Sequence, residues 1–250
     1  MSFADLKAGY DRDGYAIVRG FYSPEELADL KRELDRYATQ VIPTLPDKHA
    51  FYEDRSRPET LKQMQMMQED PYFAEISNHP RWNELASTLI GEEVVALGPE
   101  WFNKPPGTNH PTPPHQDNYY FNLVPPNVAT IWMALDDVDV ENGCLRYIPG
   151  SHLTGFRPHG RTSVLGFSQG ITDYGPEDEA AEALMILKPG DAIIHHGNTI
   201  HRADPNRSAT RHRRSFAMVL KGVSCRRDEE AYDRYLNAAQ NQHREYGLKV

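Results

Sequence analysis

The sequence has only two cysteines, Cys144 and Cys225, and no CxxC or zinc-knuckle spacing. A disulfide framework and a cysteine-rich metal site are excluded, and both thiols are expected to be reduced. No apolar run approaches the roughly 20 residues that cross a bilayer. The opening Met1-Ser2-Phe3-Ala4-Asp5-Leu6-Lys7 lacks the apolar centre of a signal peptide. The expectation is a soluble, cytoplasmic protein with no membrane partner. Basic charge is also in deficit, with 27 Lys and Arg against 36 Asp and Glu and a net charge of −9. That balance argues against a general nucleic-acid binder, which needs a basic face for phosphates. Internal repeats and low-complexity linkers are lacking too. The 250 residues therefore read as one domain, long enough to bury a sizeable core.

What is present changes character along the chain. Asp13-Gly14-Tyr15-Ala16-Ile17-Val18 reads as a turn and a short strand. Ser23-Pro24-Glu25-Glu26 carries an N-cap serine, a proline at the first helical position and a glutamate that closes a capping box. Leu27, Leu30, Leu34 and Tyr37 continue it as an apolar stripe at helical spacing. A second helical region is expected over 58–90, with Met64, Met66, Met67 and Phe73 in the core and a stop at Gly91. Residues 1–92 thus form a mainly helical part.

From 93 to 222 the apolar runs become short and rich in β-branched and aromatic residues. They include Val94–Leu97, Ala129–Ala134, Leu145–Ile148, Ala192–Ile194 and Ser215–Leu220. Pro, Gly and Asn punctuate them, and Asn142-Gly143 is a strong tight-turn signal. This pattern predicts a sandwich or jelly roll. The long connection 151–183 is a candidate lid, and 223–250 is expected to be a polar C-terminal helix.

The chemistry concentrates in Pro113-Pro114-His115-Gln116-Asp117. On a strand, residues i and i+2 share a face, so His115 and Asp117 could hold one metal ion together. An imidazole and a carboxylate are two of the three ligands of the non-haem iron facial triad. His243-Arg244-Glu245 offers the same spacing, but on a helix those side chains diverge, so it reads as solvated surface. Candidates for a third ligand are His152, His159, His195, His196 and His201. Spacing alone does not choose between His196 and His201.

Several further segments occur in a telling order. They are Asp13-Gly14-Tyr15, Phe21–Leu27, Asn103-Lys104-Pro105-Pro106-Gly107, the His115/Asp117 pair, Trp132–Asp136, Asn142–Leu145 and Pro149–His152. Pro189-Gly190-Asp191 through His201, Pro205–Ser208 and Arg213-Arg214 follow. In this order, over nearly the whole chain, the sequence resembles the phytanoyl-CoA dioxygenase family of iron(II)- and 2-oxoglutarate-dependent oxygenases.

The resemblance implies a mainly β fold, a double-stranded β-helix (jelly roll, cupin-like) with N-terminal helices packed on one sheet. It implies His115, Asp117 and His201 as iron ligands, with 2-oxoglutarate and O2 as cosubstrates. The distal carboxylate of 2-oxoglutarate calls for an arginine fork at the start of the last strand, either Arg213 or Arg214. Neighbours on a strand face opposite ways, and Arg213 is preferred because Arg214-Ser215 then follows as in the family. Lys104 and Trp132 match positions near the cosubstrate. Arg157, His159 and Arg161 in the lid are candidates for attracting an anionic small-molecule substrate. The implied reaction is oxidation of that substrate, most simply hydroxylation, as 2-oxoglutarate becomes succinate and CO2. The competing expectations are a zinc hydrolase using the same three side chains and a non-catalytic β-helix binding module.

Overall fold

The helix Pro24–Arg36 forms where the capping box predicts it. Ser23 Oγ accepts from the Glu26 amide, and the Glu26 carboxylate accepts from the Ser23 amide. The same carboxylate accepts from Arg81, which ties this helix to Pro80–Ile90. Pro80–Ile90 stops at Gly91, whose φ of 91° is left-handed and suits glycine. The computed structural model describes residues 2–164 and 167–245, apart from the side chain of His243. No helix among them is long and apolar enough to cross a membrane.

The expected helix over 58–90 is corrected in its first part. Leu61–Met64 is a strand, flanked by the short 3-10 turns Pro58–Thr60 and Met67–Glu69, and helix begins only at Pro71–Ser77. Gln63 and Met64 pair with Phe102 and Trp101 of the strand Val94–Lys104. That ladder is non-local, so it overrides a local methionine spacing that reads as helical. Met64, Met67 and Phe73 are nonetheless fully buried core.

Two larger antiparallel sheets form the β core. The larger has seven strands, in the order Tyr15–Val18, Ala192–His196, Val128–Ala134, Arg213–Gly222, Val94–Lys104, Leu61–Met64 and Ala50–Tyr52. The smaller has four, in the order Ala183–Leu184, Leu145–Tyr147, His201–Ala203 and Thr112–His115. Every residue of Val128–Ala134 is buried because this sheet is covered on both faces. Ile131 and Met133 pack outward with Leu30, Phe73, Trp82 and Phe216 in the helical layer. Trp132 and Ala134 pack inward with Leu145, Tyr147 and Ile193, between the sheets. The result is a double-stranded β-helix backed by N-terminal helices. The turn at Asn142-Gly143, where Gly143 has φ 81°, carries the chain from one sheet to the other.

The segment 151–183 is not an open loop. It contains a hairpin, His159–Val164 with Phe167–Ile171, and the short helix Pro176–Ala181; Leu165 and Gly166 lie outside the described residues. The C-terminal helix Glu229–Glu245 packs on this hairpin rather than on the outside of a sheet. Gln242 Nε2 donates to the Thr162 and Val164 carbonyls. The decoy His243-Arg244-Glu245 falls on this helix as expected, with Arg244 and Glu245 exposed. Cys144 and Cys225 are free and buried.

Candidate metal centre

Thr112–His115 is an edge strand, the position at which Pro113 and Pro114 are tolerated. It pairs antiparallel with His201–Ala203, and His201 stands directly opposite His115. His201 therefore opens a strand instead of sitting in a loop. The strand ends at His115, and Asp117 already has helical backbone (φ −56°, ψ −40°) at the start of the turn Asn118–Phe121. The expected same-face chelate on a strand is thus corrected, because the two side chains converge across a strand end. Gln116 sets that bend. Its buried amide donates to the Gly155 and Asn198 carbonyls and accepts from the Arg157 amide.

The ligand atoms of His115, Asp117 and His201 all lie within 4.8 Å of one another. Asp117 Oδ1 is 3.4 Å from His115 Nε2 and 3.5 Å from His201 Nε2. Each histidine donates its other ring nitrogen to a carbonyl, His115 Nδ1 to Pro113 at 2.7 Å and His201 Nδ1 to Thr199 at 2.9 Å. Both Nε2 lone pairs are left aimed at the cluster, the arrangement a ligating histidine needs. Burial disfavours the Asp117 carboxylate, but His201, His115 and His195 outweigh it and hold the carboxyl well below its usual range. Burial and then the charge of His115 push the His201 imidazole well below its own. A carboxylate oxygen with two imidazole nitrogens is a donor set that fits a divalent iron.

Two inward residues orient the carboxylate: Thr130, which the sequence did not single out, and His195, one of the third-ligand candidates. Thr130 and His195 are cross-strand partners on the inner face. Thr130 Oγ1 donates to Asp117 Oδ2 at 2.6 Å, His195 Nε2 donates to the same oxygen at 3.0 Å, and His195 Nδ1 accepts from the Tyr147 hydroxyl at 2.8 Å. Oδ2 is thereby occupied and Oδ1 faces the histidines. Removing an outer-shell partner typically weakens metal binding by about 10–100-fold. His195→Ala is expected to lower iron(II) affinity by that amount in an anaerobic titration with the far-UV spectrum retained; unchanged affinity would leave His195 as mere packing.

The cluster opens into a cavity of about 220 Å³ that Lys104, Trp132 and Arg213 also line. Lys104 and Arg213 are direct ladder partners, and Arg213 lies over the Trp132 ring, 5.4 Å from its centre. Arg214 faces the other way and grips Asp136 with two hydrogen bonds of 2.9 and 2.8 Å. Burial pulls Arg213 down to about 10, so it remains charged at neutral pH. Burial, then the Arg213 charge, pulls Lys104 well below the usual lysine range. Arg213 Nε and Ser215 Oγ, one strand repeat apart, are buried with no hydrogen-bond partner among the described residues. An orphaned guanidinium donor on the cavity wall, with the Lys104 amine beside it, fits a bound carboxylate.

The other expected residues lie elsewhere. His159 stacks on Tyr119 at 3.8 Å between ring centres, and burial lowers it to about 4. Arg157 pairs with Asp173 and Asp178, and Arg161 with Glu245. None of the three lines the cavity. His152 packs against the Asp11 carbonyl and His196 accepts from the Asn198 amide, so of the five histidine candidates only His201 joins the cluster.

A profile of the phytanoyl-CoA dioxygenase family matches residues 10–215. A phytanoyl-CoA dioxygenase of Arabidopsis thaliana is 27% identical over 247 residues, covering 84% of this chain and 86% of the plant protein. The peroxisomal phytanoyl-CoA dioxygenase of Mus musculus is 24% identical over 217 residues, covering 80% of this chain but 62% of the mouse protein. Among solved structures, the epimerase SnoN in complex with Fe3+, alpha ketoglutarate and nogalamycin RO superposes with a TM-score of 0.72 at 24% identity. That match covers 89% of this chain and 84% of SnoN. EctD from S. alaskensis, solved with 2-oxoglutarate and 5-hydroxyectoine, gives 0.72 at 21% identity over 88% of this chain and 76% of EctD. These likenesses establish the shared fold. With the family profile spanning most of its length, the chain belongs to the phytanoyl-CoA dioxygenase family of non-haem iron, 2-oxoglutarate-dependent oxygenases.

Proposed function

We propose that the protein hydroxylates a small molecule at an iron(II) held by His115 Nε2, Asp117 Oδ1 and His201 Nε2, with 2-oxoglutarate as cosubstrate. Iron and 2-oxoglutarate, when bound, supply the oxidising power, as O2 is consumed and succinate and CO2 are released. The observation that carries this reading is one cavity lined by both a buried His–Asp–His cluster and a buried, unpaired arginine. Arg213 receives the distal carboxylate through its fork, with Lys104, its ladder partner, beside it on the cavity wall. Trp132 holds the guanidinium plane. Tyr120 and Phe167 pack on the His115 ring and keep water from that side. A zinc hydrolase would need none of the Arg213 arrangement.

Anaerobic protein given iron(II) and 2-oxoglutarate is expected to show the visible charge-transfer band of a chelated complex, and succinate release then screens substrates. Lack of the band would refute the proposal. Because 2-oxoglutarate satisfies buried groups available only in the folded state, ligand at 100 times its Kd stabilises the protein by about 2.7 kcal/mol. For a chain of this size that is a rise in Tm of roughly 5–10 °C. The rise should require the metal and fail with succinamide, which lacks the carboxylates.

A further inference from the structure

The strand Val94–Lys104 sends Lys104, Phe102 and Glu100 into the cavity on successive inward positions. The cosubstrate reading accounts for Lys104 but leaves Glu100 unused. Its ladder partner is Ala217, which is too small to fill the space in front of it. Among the described residues its side chain makes no hydrogen bond and no ion pair. Burial, with the Asp117 charge adding to it, pushes the carboxyl up to about 7, and neither Lys104 nor Arg213 compensates it. A carboxyl that faces the cavity with no protein partner is free to take one from a ligand.

The walls on that side are aromatic and apolar, comprising Tyr120, Phe121, Phe167, Val219 and Tyr235. Tyr235 comes from the C-terminal helix and feels the Glu100 charge. Arg213 and Lys104, the basic residues of the cavity wall beside Trp132, are assigned to 2-oxoglutarate in the proposed function. A carboxylate set among aromatic faces is the environment that recognises a positive nitrogen, through one charge-assisted hydrogen bond and cation–π attraction. The cavity, at about 220 Å³, favours a compact molecule. We propose that Glu100 is the recognition carboxylate for a substrate that carries a protonated amine, which it seats beside the metal centre. The proposal rests on the oxygenase reading for what happens next, but not for the binding itself.

The test uses matched probes, benzylamine with benzyl alcohol and cyclohexylamine with cyclohexanol. Binding is measured by calorimetry and by perturbation of the iron–2-oxoglutarate band under anaerobic conditions. The wild-type protein is expected to bind each amine at least about tenfold more tightly than its alcohol, a difference of about 1.4 kcal/mol. Glu100→Gln should erase that preference, leave iron and 2-oxoglutarate affinity unchanged, and keep or raise Tm because an uncompensated acid has been removed. A merely structural Glu100 would lower Tm on substitution. Equal binding of amine and alcohol to the wild type overturns the proposal, as does a preference that survives in Glu100→Gln, which would mark direct ligation of the metal by the amine. A missing charge-transfer band in the wild type would instead sink the oxygenase reading, while the calorimetric preference is still read on its own.

Discussion

Asp117→Ala protein is expected to emerge from anaerobic gel filtration without iron(II) and to release no measurable succinate. The carboxylate is the only anionic donor in the cluster, and both partners holding it, Thr130 and His195, act on Oδ2 so that Oδ1 is presented to the histidines. Without it, His115 and His201 face one another with ring centres 4.1 Å apart and no charge to attract a cation. The loss should exceed the roughly 10–100-fold that follows removal of an outer-shell partner. Asp117→Asn keeps the shape and removes the charge, so it should fold as the wild type does and still lose iron. Stoichiometric iron in either variant would disprove this assignment of the centre.

Arg213→Ala is expected to raise the Kd of 2-oxoglutarate sharply with iron(II) affinity unchanged. Truncating one side of a buried charge pair costs about 2–5 kcal/mol, which is roughly 30-fold or more in affinity. Arg213→Lys should recover part of the loss, since it restores charge without the planar fork. Arg214→Ala is the internal control. Its guanidinium is spent on Asp136 on the opposite face of the sheet, so it should lower Tm and leave 2-oxoglutarate binding alone. Titration of the charge-transfer band measures all three. An Arg214 effect on binding larger than that of Arg213 would reverse the assignment.

Much of this architecture was legible locally. The capping box at Ser23–Glu26, the Leu27/Leu30/Leu34 stripe and the stop at Gly91 are short-range signals, complete within a turn or two, and the helices form at those places. The strand Leu61–Met64 was not legible, because it is held between Ala50–Tyr52 and Val94–Lys104, some forty residues on, and its own residues carry no strand pattern. The hairpin inside 151–183 was missed for a related reason: its sequence is polar, and it packs between the distant strand Thr112–His115 and the C-terminal helix.

The site divides the same way. Side-chain chemistry and the order of motifs placed an imidazole–carboxylate pair at His115 and Asp117 and an arginine at the head of the last strand. Those are properties of residue type and neighbours. Tertiary structure decided that Asp117 reaches the cluster from a helical turn, that His195 and Thr130 hold its far oxygen, and that Arg157, His159 and Arg161 do not line the cavity. It also decided that Glu100 stands in the cavity unpaired. The places of Thr130, His195 and Glu100 depend on strand register between segments distant in the chain, and a one-residue slip would turn those three side chains to the other face.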